Sequence, residues 1–185
     1  TQPENIESCI ILTTSPNARL KSCMALKKKK KIPLKNTAPT IICNKLNDIK
    51  HQNIIAIHKN KIKPSSDLMS LVAERGDDLQ IVILDGVQDP RNLGACIRSA
   101  CANNCHAIII PKNNNATITE LVTKIACGAC AILPIFEVAN IHQTLTKLKK
   151  ANVWCWGLTE HTDAAITNAD FSGPTALVFG TESTG

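Results

Sequence analysis

The chain has 185 residues, 44% of them hydrophobic, and a formal net charge of +6. That length suits one or two domains with a buried core, and no apolar run of about 18 residues is present to span a membrane. No charged-then-apolar leader opens the sequence, so a cytoplasmic protein is expected.

In chain order, IESCIIL (6–12) and TIIC (40–43) read as short buried strands. Between them, Ala18 to Leu26 has helical spacing, and IIAI (54–57) offers another strand. A small α/β unit is therefore expected over 1–58. KNKIKPSSD (59–67) carries the proline and paired serines of a linker, and a connecting segment is expected over 59–79. QIVIL (80–84), bounded by Asp-Gly, has the continuous apolar run of a buried parallel strand. Asn92 to Asn103 reads as a helix with Asn92 at its N-cap. HAIII (106–110) is a strand ended by Pro111, and Ile118, Leu121, Val122 and Ile125 form the stripe of an amphipathic helix. ILPIFEV (132–138) is a strand, followed by a helix marked by Ile141, Leu145 and Leu148. VWCWGL (153–158) and TALVFG (175–180) are further strands. Strands alternating with helices predict an α/β fold on a mostly parallel sheet with right-handed crossovers. Ligands of such sheets bind at the carboxyl ends of the strands. That places Asp85–Arg98, Thr159–His161 and Gly180–Gly185 on the candidate rim.

Charge is unevenly divided. Residues 1–65 hold 13 Lys+Arg against 3 Asp+Glu, whereas residues 66–185 hold 8 against 12. The run Lys27, Lys28, Lys29, Lys30, Lys31 is either a solvated loop or a contact for a phosphate backbone, and the extended basic excess favours the second. With three Phe, two Trp and no Tyr, base stacking on an aromatic sheet is not expected, so nucleic acid would be held by charge and shape. The nine cysteines are odd in number and irregular in spacing, and read as reduced thiols. Cys127-Gly-Ala-Cys130 is a CxxC without a second CxxC, so no metal is expected.

Several familiar sites are absent: GxGxxG, GxxxxGK[ST] and GxSxG do not occur. His106 and His161 have no evident nucleophilic partner, and Asp85 and Asp89 suit local turn hydrogen bonds. What remains is Asn92, Gly94 and Arg98, with Gly180-Thr-Glu182-Ser-Thr-Gly185 far downstream. Arginine offers a planar fork for phosphate, and Gly94 would let a backbone approach the first turn of the helix. The constellation suits an anionic substrate backbone.

LDGVQDPRNLGACIRSACANNCHAIIIPK, VTKIACGA and ALVFGTESTG, in that order, resemble the SpoU branch of the SPOUT RNA methyltransferases. The likeness covers 80–185 and is strongest to the bacterial members that act on guanosine in 23S rRNA. More loosely, residues 1–58 resemble part of the L30e-like substrate-binding domain of those enzymes, with KHQNIIA (50–56) near its HQG-type motif. The resemblance implies an α/β-knot fold, a homodimer, and methyl transfer from S-adenosylmethionine to a ribose 2′-hydroxyl. It assigns Arg98 to the hydroxyl and its phosphate, Asn92 and Glu182 to orienting Arg98 and the ribose, and Gly180 and Thr159 to the cofactor. Ser183 and Thr184 stand where Gly-Glu is usual, and Ala131 where an acidic residue is common. The sequence ends at Gly185, inside the second motif, and a third motif completes the knot in family members. A longer natural chain is therefore expected of an active enzyme. The alternatives are a tRNA substrate, or a non-catalytic RNA-binding protein with an incomplete methyltransferase fold.

Overall fold

The computed structural model describes residues 6–12, 16–34, 54–58 and 62–181. The chain forms two compact units, 1–60 and 61–185.

In the first unit, β1 (Ile6–Ile11) pairs antiparallel with β2 (Ile54–His58), running from Ser8 opposite Ile57 to Ile11 opposite Ile54. Cys9, Ile10 and Leu20 are buried. Helix α1 (Ala18–Lys29) starts at Asn17, whose side chain accepts from the Leu20 N–H at 2.9 Å. Lys27, Lys28 and Lys29 form its last turn, where cations complement the helix dipole. Lys30 caps the helix and Lys31 follows with φ +53°. The lysine run thus ends a helix rather than forming a loop. The strand expected at 40–43 lies outside the described residues.

The second unit is built on a six-stranded sheet in the order β3-β6-β5-β4-β8-β7, with every pairing parallel. Its strands are β3 (Ile62–Lys63), β4 (Gln80–Leu84), β5 (Ala107–Pro111), β6 (Ile135–Val138), β7 (Trp154–Leu158) and β8 (Thr175–Phe179). Helices α2 (Leu68–Arg75), α3 (Pro90–Ala102), α4 (Glu120–Ile125) and α5 (Ile141–Lys150) lie between them. Strand alternation divides the core in two. Val82, Leu84, Ile108, Ile110 and Ile135 pack beneath Leu93 and Ile97 of α3 and Val122 of α4. Ile81, Ile83, Ile109 and Phe136 face Leu68 and Val72 of α2 and Leu148 of α5. Leu93, Ile97 and Leu148 are fully buried, and each such side chain contributes roughly 1.5–3 kcal/mol.

Three differences from the sequence expectation have local causes. The stretch expected to connect the units carries β3 and α2, because Leu68 and Val72 form an apolar face that packs on the sheet. The 118–125 stripe makes only a six-residue helix, because Thr119 caps it and accepts from the Val122 N–H. Strand β6 begins at Ile135 rather than Ile132, since Ala129–Ala131 form a tight 3-10 turn and Pro134 precedes the pairing.

Candidate active site at the sheet switch point

The chain builds β4, β5 and β6 outward in one direction, then crosses to the far edge for β7 and returns to insert β8 beside β4. Strand order therefore reverses between β4 and β8. In open α/β sheets a crevice forms beyond the carboxyl ends of the strands at such a point.

Two distant sequence motifs meet there. The Asp85 N–H donates to the Phe179 carbonyl at 2.8 Å, continuing the β4–β8 pairing into the turn. Gly86 follows with φ +88°, and a Cβ at this position would run into the Thr181 side chain. The backbone conformation favours glycine here, and its bare Cα lets the Thr181 side chain lie against the turn. The loop after β5 closes the same turn, with the Ala116 N–H donating to the Val87 carbonyl at 2.8 Å. Gly180 leaves β8 beside Leu158 of β7, which stands opposite Phe179 in register, and Thr159 follows Leu158 on the rim. The Thr159 hydroxyl accepts from the His161 N–H at 3.2 Å. His161 and Glu160 are 3.9 Å apart and both exposed, a pair that solvent screens. Glu182, Ser183 and Thr184 lie outside the described residues.

Helix α3 starts earlier than its sequence suggested. Asp89 is the N-cap, accepting from the Arg91 N–H at 2.7 Å, and Pro90 occupies the first helical position. Asn92 is therefore inside the first turn and is not the cap. Arg98 lies nine residues past Asp89, roughly 13 Å along the axis, rather than a turn and a half from the helix start. Asn92 and Arg98 are separated by about 9 Å along α3 and a third of a turn around it.

Gly94 also has a different task from the one expected. It is buried against α4, where an added Cβ would come within 2.9 Å of the Val122 carbonyl oxygen and the Ile125 Cβ. It permits two helices to touch rather than admitting a ligand backbone. One turn farther on, the exposed Arg98 donates through Nη1 to the Ile125 carbonyl at 3.4 Å. The long bond takes one of the five guanidinium donors and leaves the side chain on the surface.

The local turn hydrogen bond expected at Asp89 is present, but sequence reasoning missed its role as the N-cap, together with Gly86 and the Ile125 carbonyl. Asp-Pro at 89–90 was a legible cap-and-first-position signal. A carbonyl partner 27 residues away in sequence had none.

Four cysteines of the second unit serve packing. Cys130 lies in the core beside α3, with Cys96, Cys101 and Cys105 packed around the same cluster. Burial pushes the Cys130 and Cys105 thiols above their ordinary value, away from thiolate reactivity.

The SpoU rRNA Methylase family model matches residues 80–185, which include both motifs at the switch point and both helices around Arg98. The chain belongs to the SpoU rRNA methylase family. Over 185 residues it is 36% identical to the 23S rRNA (guanosine-2′-O-)-methyltransferase RlmB of Shewanella oneidensis, covering 99% of this chain and 74% of that relative. The enzyme of the same name from Coxiella burnetii is 39% identical over 143 residues, 77% of this chain and 57% of the relative. Among solved structures, the SpoU methyltransferase AviRb from Streptomyces viridochromogenes, in complex with the cofactor AdoMet, superposes with a TM-score of 0.75 at 19% identity. That match covers 97% of this chain and 67% of AviRb. An rRNA methyltransferase from Sinorhizobium meliloti gives 0.74 at 18% identity, covering 98% of this chain and 66% of that one. Both share the fold of this chain. The chain thus spans about three quarters of the Shewanella relative and about two thirds of these structures.

Proposed function

We propose that this SpoU protein transfers a methyl group from S-adenosylmethionine to the 2′-hydroxyl of a guanosine in 23S rRNA. The observation that carries the reading is the meeting of Gly86 and Thr181 at the β4–β8 switch point, within the stretch matched by the family. The family relatives named for this activity, each above 30% identity, support the substrate.

The residues present suit the cofactor. Past the ends of β7 and β8, Thr159, Gly180 and Thr181 offer main-chain polar groups beside the apolar Leu158 and Phe179. That mixture matches a nucleoside joined to an amino-acid chain through a sulfonium. When bound, S-adenosylmethionine supplies a methyl group on a sulfonium, which is already an activated leaving group. The chain's own task is alignment and charge. Gly180 and Thr159 would hold the cofactor through this rim and Glu182 would orient the ribose, while Asn92, about 9 Å along α3 from Arg98, would meet Arg98 only across two copies. Arg98 grips the neighbouring phosphate and stabilises the alkoxide that develops as the hydroxyl loses its proton. Guanidinium stays protonated at neutral pH, so it does not act as the base, and the proton passes to phosphate or water.

The reading carries with it the family's trefoil knot, a homodimer and a cytoplasmic location. The distance along α3 between the rim and Arg98 favours a site shared between two copies. Trp154 and Phe179, 67% and 39% exposed on one face of the sheet, offer apolar surface to a second copy. Residues 1–58 supply an L30e-like module to the methyltransferase domain, with Lys27–Lys31 directed at RNA.

The deciding experiment is methyl incorporation into 23S rRNA from labelled S-adenosylmethionine by the natural protein and by Arg98→Ala. Transfer should fall by at least about a hundredfold in the variant, the scale of losing one transition-state donor. Cofactor affinity should be unchanged. Full activity in Arg98→Ala would remove Arg98 from the mechanism.

A further inference from the structure

At the other end of the same rim, beyond β3, β6 and β5, lies a cavity of about 440 Å³. Its wall includes Lys63 at the end of β3, Ser65 and Ser66 just after it, Lys112 just after β5, and Glu137 on β6. All belong to the second unit. The lining is mostly polar, unlike the apolar pockets that hold drug-like molecules. Lys63, Ser65, Ser66 and Lys112 are exposed, and no ion pair engages either lysine or Glu137 among the described residues. Ser66 Oγ donates to Asp67 at 3.1 Å, which leaves Ser65 as the hydroxyl donor to the cavity.

We infer that this cavity is a second RNA subsite, which takes a backbone phosphodiester a few nucleotides from the methylated ribose. The inference rests on the methyltransferase reading and extends it. Two ammonium groups against one carboxylate leave the wall with a single net positive charge. A phosphodiester carries one negative charge and a terminal phosphate up to two, so the wall matches a chain-internal phosphate. The site is also placed for it. The loop after β5 begins at Lys112 in the cavity wall and reaches Ala116, bonded to Val87 beside the Gly86 turn. Neighbouring strands are about 4.8 Å apart, so the ends of β6 and β3 lie on the order of 10–15 Å from the end of β4. A single strand of RNA laid across the rim would meet both places.

The test uses the full natural protein with Lys63→Gln and Lys112→Gln combined, and Lys112→Gln alone as a milder change at an exposed side chain. Equilibrium binding to a 23S rRNA fragment would be measured across a salt series, alongside steady-state methylation. The double variant should bind RNA about tenfold more weakly, with a salt slope shallower by about 0.7–0.9, the signature of one lost phosphate contact. Methylation should fall chiefly through KM, and Lys→Arg at both positions should restore most of the affinity. Unchanged affinity and salt slope in a folded double variant would overturn the subsite. Competition by inorganic phosphate at equal ionic strength, with no effect of the lysine changes on RNA binding, would mean a free-anion site and overturn it too. The outcomes separate from the parent reading. If the natural protein transfers no methyl group yet binds RNA through these lysines, the subsite stands and the methyltransferase assignment falls.

Discussion

Gly94 and Arg98 stand four residues apart, on one face of α3, and both meet α4. The glycine sets how closely the helices approach, and the closeness brings the Ile125 carbonyl within reach of the arginine. Gly94→Ala would gain about 1 kcal/mol of helix propensity but force a Cβ against the Val122 carbonyl and Ile125. Overpacking of that kind costs about 1–3 kcal/mol, so thermal denaturation should show net destabilisation. Methyl transfer should fall as Arg98 is displaced. Arg98→Ala is the opposite case. The side chain is exposed with one long hydrogen bond, so its loss should change stability by less than about 1 kcal/mol while activity disappears. His106 supplies a pH dependence at this scale. Its Nδ1 accepts from the Gln80 N–H at 3.0 Å, which requires the ring to be unprotonated there. Burial, then the nearby Arg75, lower its pKa below the ordinary 6.5, with Asp78 opposing. The unfolded chain therefore takes up the proton more readily. The stabilisation is present above pH 6.5 and is lost as pH falls through the lowered value in the folded state. His106→Asn should flatten stability against pH below 6.5 in urea titrations, and an unchanged profile would remove His106 as the cause.

At the scale of elements, what the sequence made legible follows from burial. The buried positions of β4 are all Ile, Val or Leu, those of β5 are Ala107 and three Ile, and their apolar runs marked them directly. α3 was read as a helix from Asn92 to Asn103, and α5 declared itself through Ile141, Leu145 and Leu148, spaced for one face. α2 was missed because only Leu68 and Val72 are buried, amid Ser65, Ser66, Asp67 and Glu74 that read as linker. At α3 the Asn92 side chain drew attention from Asp89, although Pro90 could only follow a cap. Asp89→Ala should cost about 1 kcal/mol by removing the bond to the Arg91 N–H, measurable as a lower denaturation midpoint. Of the site, Arg98 and the Gly180–Thr181 loop could be named from residues alone. Their separation along α3, and the contact of Thr181 with Gly86, depend on strand order, which no local pattern records.

For the whole molecule, charge and topology divide the work. The basic excess lies in residues 1–65, while the rim chemistry lies in the acidic remainder. Lys27–Lys29 sit on the last turn of α1, so their cost as a like-charged cluster is relieved by the helix dipole; Lys28 and Lys29 are exposed and Lys27 is half-buried. Replacing Lys27–Lys31 with Gln should weaken RNA binding and flatten its dependence on salt, with little effect on cofactor affinity. An unchanged salt slope would reduce the run to a helix-ending feature.

The placement of β8 between β4 and β7 bears on how the protein is made. β4 ends at Leu84, but its second neighbour begins only at Thr175. During synthesis at roughly 5–20 residues per second, β4 waits several seconds with one edge unpaired. Its Ile81, Val82 and Ile83 are all buried in the finished sheet, so the waiting edge is apolar on both sides and a template for aggregation. Long-range pairing of this kind is also the slow part of folding. The contact between Gly86 and Thr181 can close only after that pairing, so a nascent chain acquires its helices and four paired strands of its six before it has anything resembling an active site.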